Sequence, residues 1–117
     1  MQTGFYGSAA PNARGFRDVT VQQVHDMKGR VRVVDVRETA ELHGELGHIE
    51  GVEHVPLSTV VAAAAPWPRH EEVVVVCRSG GRSGNAAAAL VAMGFTRVMN
   101  MVGGMLAWNA AGLPVAR

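Results

Sequence analysis

The sequence predicts an α/β domain with a central, mainly parallel β-sheet and helices on both faces. Three observations lead there. Two β-branched runs, VRVVDV at 31–36 and VVVV at 73–76, suit strands buried on both faces of a parallel sheet. Helical stretches separate such runs along the chain, the alternation expected of βα units. The length, 117 residues, suits one domain rather than two.

Taken in order, residues 1–14 (MQTGFYGSAAPNAR) show no sustained periodicity and read as an irregular N-terminal arm, laid over the domain through Phe5 and Tyr6. Residues 15–117 form the folded domain. Phe16 to Thr20 leads into a short helix: Thr20 is its N-cap, Val21, Val24 and Met27 recur at helical spacing, and Gly29 ends it. The strand at 31–36 follows, then helical stretches at 38–44, 57–65 and 83–93, with weaker strands at 53–56 (EHVP) and 97–101 (RVMNM). In the helix at 83–93, Ala87, Leu90, Val91 and Gly94 trace an i, i+3, i+4, i+7 stripe. Its alanines allow close packing on a sheet, and Gly94–Phe95 fits a helix end that folds back onto the apolar face.

Composition narrows the function. Apolar residues are 48%, charged residues 18% and the formal net charge is +1, values that exclude a disordered or collagen-like chain. Nothing in that balance predicts binding to nucleic acid. No apolar run approaches the roughly 20 residues of a membrane helix, and residues 1–17 have no secretory core segment. A small, soluble, cytoplasmic protein without a membrane partner is expected. One cysteine, Cys77, excludes an internal disulfide, a CxxC pair and a cysteine-rich zinc site.

That cysteine lies in the most informative segment, VVVVCRSGGRSGNAAAAL. A buried strand ends at Cys77, a glycine loop follows, and a helix begins around Arg82 or Ser83. In open α/β sheets, sites form beyond the carboxyl ends of strands. Three features there favour a thiolate. Loop N–H groups form an anion nest, the helix N-terminus adds partial positive charge, and Arg78 and Arg82 bring permanent charges. Such surroundings move a thiol pKa from about 8.5 to roughly 3.5–7.5. Gly80 and Gly81 let the loop curl around a bound group, and Ser83 caps the helix or donates to the thiolate or substrate. A buried structural cysteine is the plainer alternative, but a structural turn has little use for two arginines.

The loop Cys77–Arg78–Ser79–Gly80–Gly81–Arg82–Ser83 resembles the CRxGxRS active-site pattern of the rhodanese-homology, or sulfurtransferase, domain family. Val34–Asp35–Val36–Arg37–Glu38, followed by Gly47–His48–Ile49–Glu50–Gly51–Val52–Glu53–His54–Val55–Pro56–Leu57, is similar to the family's N-terminal signature. Gly103–Gly104–Met105–Leu106–Ala107–Trp108, then Gly112–Leu113–Pro114–Val115, is similar to its C-terminal one. Val52 stands where the family usually has alanine, and the arm lies outside the resemblance.

The resemblance implies a single rhodanese-like domain and a thiosulfate-type sulfurtransferase with Cys77 as nucleophile. The thiolate takes the outer sulfur of a small anionic donor, the resulting persulfide is held by the loop, and cyanide or a thiol removes the sulfur. Arg78 and Arg82 are candidates for docking the donor, with Ser79, Gly80, Gly81 and Ser83 lining the loop. No cofactor or metal is implied. Cys77 to Arg82 is C-x4-R, whereas cysteine phosphatases use C-x5-R, so the smaller loop favours sulfur over a phosphoryl group. A persulfide carrier serving an acceptor protein is a second reading, using the same residues. An inactive interaction domain is disfavoured by the intact loop.

The other candidates read as structural. The resemblance implies that Asp35 and Arg37 brace loops at a strand end and that His48 and His54 do the same. His25, His43 and His70 are expected at the surface, and no HxH or HExxH spacing suggests a metal. Gly103 and Gly104 start a short helix from which Trp108 packs on the core. Trp67, between two prolines, is expected as an exposed contact.

Overall fold

A computed structural model describes residues 4–117. Six strands form one sheet: β1 (Ala10–Pro11), β2 (Arg17–Val19), β3 (Arg32–Asp35), β4 (Glu53–His54), β5 (Val73–Val76) and β6 (Val98–Met101). Their order across the sheet is β1-β2-β6-β5-β3-β4. Only β1, antiparallel to β2, departs from the parallel pattern. The helices are α1 (Val21–Met27), α2 (Thr39–Leu42), α3 (Val60–Ala64), α4 (Gly81–Ala92) and α5 (Gly104–Ala110). None is long and apolar enough to cross a membrane.

Alternation along β5 divides the core in two. Val73 and Val75 face the layer of α3 and α4, packing with Val60, Ala64, Ala87 and Leu90. Val74 and Val76 face the opposite layer, with Val24, Met27, Met105 and Trp108 from α1 and α5. All four valines have zero exposure. Full burial is worth about 1.5 kcal/mol or more per valine side chain, so an uninterrupted apolar run is the stable choice for this central strand.

Local chemistry sets the helix ends. Thr20 caps α1 in a reciprocal box: its hydroxyl accepts from Gln23 N–H at 3.1 Å, and the Gln23 side chain accepts from Thr20 N–H at 2.9 Å. At the end of α4, Gly94 N–H donates to Val91 O and Phe95 N–H to Leu90 O. Gly94 has φ +99° and Phe95 is buried, the pairing that closes a helix with a left-handed residue.

Several expectations change. Arg17–Val19, read as a lead-in to α1, is a strand whose register places Asp18 opposite Asn100. The stretch at 57–65 opens as a 3-10 turn, Leu57–Thr59, before α3. Residues 4–14 carry a 3-10 turn, Tyr6–Ser8, and supply β1. Tyr6 is buried, with its N–H bonded to Glu72 at 2.7 Å. Trp67 is 8% exposed rather than a surface contact, because the Arg32 guanidinium lies 4.2 Å from its ring and Phe95 meets it edge-on. His25 is half-buried edge-on against Trp108, while His43 and His70 are exposed.

Candidate active site

β5 ends at Val76 and delivers Cys77 to the carboxyl edge of the sheet, where its residue is 1% exposed. The chain then turns sharply. Gly80 has φ +108°, a left-handed conformation that glycine adopts without strain, and it becomes the N-cap of α4. The helix therefore begins at Gly81, slightly before Arg82. This turn aims Gly80 N–H at Cys77 Sγ, 3.0 Å away, while the Ser83 hydroxyl lies 3.2 Å from the same sulfur.

These contacts decide the thiol's acidity. Burial pushes its pKa up. Hydrogen bonds from the Ser83 hydroxyl and from the N–H groups of Ser83, Gly80 and Ser79 outweigh burial, and the thiol lies below its ordinary value. Ser83 is itself fully buried.

The two arginines are placed differently from the sequence expectation. Arg82 forks onto the Glu41 carboxylate of α2 at 2.7 and 2.8 Å, which engages both of its terminal nitrogens. The Arg82 side chain holds Glu41 down to about 2, well below the usual carboxylate range. In return the Glu41 hydrogen bond raises Arg82, with a smaller push from the nearby Cys77 charge. Arg78 is exposed and lines a cavity of about 330 Å³ with Arg37, Glu41, Glu45 and Leu106. Carboxylates hold Arg37 and Arg82, whereas Arg78 has no such partner among the described residues. Ser79 and Gly81 are exposed beside it.

The DVRE segment braces the site from behind. Arg37 forks onto Asp35, both fully buried, and also donates to Gly47 O at 2.7 Å. The His54 ring is 2.7 Å from Arg37 O and the His48 ring 2.8 Å from Leu42 O, so both histidines hold main chain. Among the described residues, no group of three or more His, Cys, Asp or Glu side chains is arranged to hold a metal ion.

Two contributions escape a reading of the sequence. Met105 N–H donates to Cys77 O at 2.9 Å and Leu106 N–H to Arg78 O at 3.0 Å, so α5 fixes the loop from above. Gly104 permits this approach: a Cβ there would lie 2.5 Å from Arg78 C and O and from Cys77 O. The Gly103–Gly104 pair hints at a tight turn but not at what it touches. The second is Asn100 on β6, 2.6 Å from the Ser83 hydroxyl. A single polar residue in a weak strand gives no sign of that contact.

A family profile for the rhodanese-like domain matches residues 20–111. A sulfurtransferase of Allochromatium vinosum is 38% identical over 85 residues, covering 73% of this chain and 78% of that protein. A putative sulfur carrier protein of Bacillus subtilis is 34% identical over 104 residues, covering 86% of this chain. A thiosulfate sulfurtransferase of Pseudomonas paraeruginosa is 31% identical over 96 residues, covering 81% of this chain and 86% of that protein. The chain spans about half the length of some curated relatives, 55% for the B. subtilis protein and 53% for a Synechocystis one. A solved rhodanese-related protein of Thermoplasma volcanium superposes with a TM-score of 0.75 at 26% identity, covering 86% of this chain and 98% of that one.

Proposed function

The chain belongs to the rhodanese-like domain family, and on that premise we propose that it moves sulfane sulfur from thiosulfate, or a similar anionic donor, to cyanide or a thiol through a persulfide on Cys77. The observation that carries the reading is the sulfur of Cys77 held at 3.0 Å from Gly80 N–H and 3.2 Å from the Ser83 hydroxyl.

In the first half-reaction the Cys77 thiolate attacks the outer sulfur of the donor. The donor's S–S bond breaks and its electron pair leaves with sulfite. Gly80, Ser83 and Ser79 supply preorganised donors for charge on the sulfur atoms, and Arg78 meets the anionic donor at the mouth. In the second half-reaction cyanide or a thiolate attacks the outer sulfur of the persulfide, and the electron pair of the breaking bond returns to Cys77 Sγ. This is covalent catalysis with two alternating enzyme forms, and no cofactor enters the balance. With one cysteine in these 117 residues, the acceptor sulfur lies outside them. A cytoplasmic setting suits that chemistry, because a reducing compartment keeps a lone thiol available.

The Arg82–Glu41 fork favours a second reading. With Arg82 neutralised, a dianionic donor finds one arginine at the mouth rather than two. A persulfide carrier charged by a partner and discharged onto an acceptor protein has less need of the second charge.

Intact mass after incubation with thiosulfate, then after cyanide, tests the proposal. The expected result is a gain of one sulfur atom that cyanide removes and that Cys77→Ser lacks. A folded, reduced protein that gains no mass refutes thiosulfate as donor; gain from a persulfide donor alone selects the carrier.

A further inference from the structure

Asn100 is the one polar side chain that β6 places on the face packed by α4, beside Val98, Phe16 and Cys77. An amide at a position 8% exposed needs hydrogen-bond partners to offset its desolvation. It has two. Nδ2 donates to Gly80 O at 3.4 Å, and Oδ1 lies 2.6 Å from Ser83 Oγ. Gly80 O can only accept, which turns the NH2 end toward it and the oxygen end toward Ser83.

Ser83 therefore has two acceptors in reach, Asn100 Oδ1 at 2.6 Å and Cys77 Sγ at 3.2 Å. A hydroxyl carries one proton and serves one of them at a time. A neutral, divalent sulfur is a weak acceptor, and a thiolate is a strong one.

We infer that Asn100 is a positioning residue for Cys77: its Oδ1 holds the Ser83 hydroxyl while Sγ is uncharged, and releases it to Sγ when the sulfur becomes anionic. The inference rests on the persulfide reading above. In sulfur release the acceptor attacks the outer sulfur, the S–S bond breaks, and the electron pair collects on Sγ. The Ser83 hydroxyl then rotates from Asn100 to Sγ as a hydrogen-bond donor; no proton changes owner. The bond to sulfur strengthens as charge develops, so it favours the transition state over the persulfide. The contact with Gly80 O also ties Asn100 to the loop residue whose N–H faces the same sulfur.

The test uses alkylation of Cys77 by iodoacetamide across pH. Cys77 is the only cysteine, so the signal has one source, and no sulfur donor is involved. The other charged groups around the site, Arg78 and Arg82 of the loop, Glu41 of α2 and Asp35 of β3, are the same in every variant. Asn100→Leu removes the competing acceptor and leaves the hydroxyl to the sulfur. Alkylation below the midpoint is expected to rise about three-fold or more, with the midpoint moving to lower pH. In a Ser83→Ala background the same substitution is expected to leave the midpoint in place. Asn100→Ala removes the acceptor without setting an apolar chain against Gly80, and gives the same reading if the leucine variant fails to fold. An unmoved midpoint, or an equal shift with and without Ser83, overturns the inference and makes Asn100 a packing residue. Failure of thiosulfate to load Cys77 leaves this result untouched, so the two proposals fail separately.

Discussion

Gly104→Ala isolates how closely α5 presses on the cysteine loop. Alanine at 104 must hold φ near +57°, a left-handed conformation that costs an L-residue about 1–2 kcal/mol. Its Cβ would also lie 2.5 Å from Arg78 C and O and from Cys77 O. Those are main-chain atoms, and relieving the overlap by moving them adds about 1–3 kcal/mol. Gly51 is the control: its φ is +82° and a Cβ there meets nothing within 4 Å, so Gly51→Ala carries the first cost alone. The two variants should differ by about 1–3 kcal/mol in stability, read as denaturant midpoint or as roughly 2–8 °C of melting temperature per kcal/mol. Gly104→Ala should also slow Cys77 alkylation. The shifted loop loses the Met105 and Leu106 N–H bonds, and with them the aim of Gly80 N–H at the sulfur. Equal melting of the two variants, with unchanged alkylation, would falsify the claim that this abutment positions the thiol.

Glu41→Gln tests the other restraint. The folded pKa of Glu41 is lowered to about 2 from an ordinary 4.5, so its contribution is present above pH 4.5 and is lost as pH falls toward 2. The pair is about a third exposed, which limits the effect to about 1 kcal/mol or less; acid melts of Glu41→Gln should lack this loss. The same variant releases the Arg82 fork, and steady-state kinetics should show a lower KM for thiosulfate. Deleting residues 1–11 strips β1 from the sheet edge and removes Tyr6 from beneath the Arg17 guanidinium, 4.3 Å from its ring. The melting temperature should drop and light scattering should rise, since β2 becomes an open edge; an unchanged melt would show that the arm is separable from the domain.

Much of the fold was readable because its strongest elements carry local signals. The four valines of β5 read as a buried strand, Thr20 before Val21, Val24 and Met27 as a helix start, and Gly94–Phe95 as a helix stop. What the sequence concealed depends on partners distant along the chain. β1 and β2, two and three residues long, are too short to display a period. β2 is a strand because the edge of β6 is there to pair with, and β1 because β2 then offers its own edge. Trp67 looks exposed between two prolines, yet Arg32, 35 positions earlier, lies against its ring and Phe95 meets its edge. Arg82 is near Cys77 in sequence, while the carboxylate that captures it comes from Glu41, on another element.

The three motif segments, far apart in sequence, are bound into one site chiefly through main-chain atoms. Arg37 reaches from Asp35 to Gly47 O and, at 3.3 Å, to Glu41 O, while its own carbonyl accepts from the His54 ring. Glu41 passes the connection to Arg82 at the start of α4, and α5 holds the carbonyls of Cys77 and Arg78. Two consequences follow for how charge is used. The Asp35–Arg37 pair is buried, so removing one partner would strand the other's charge at about 3–5 kcal/mol, which makes the pair part of the fold. The Glu41–Arg82 pair is partly solvated and can open at much smaller cost. Of these two carboxylate–arginine pairs, only the second can exchange its partner for an anion without unfolding its surroundings.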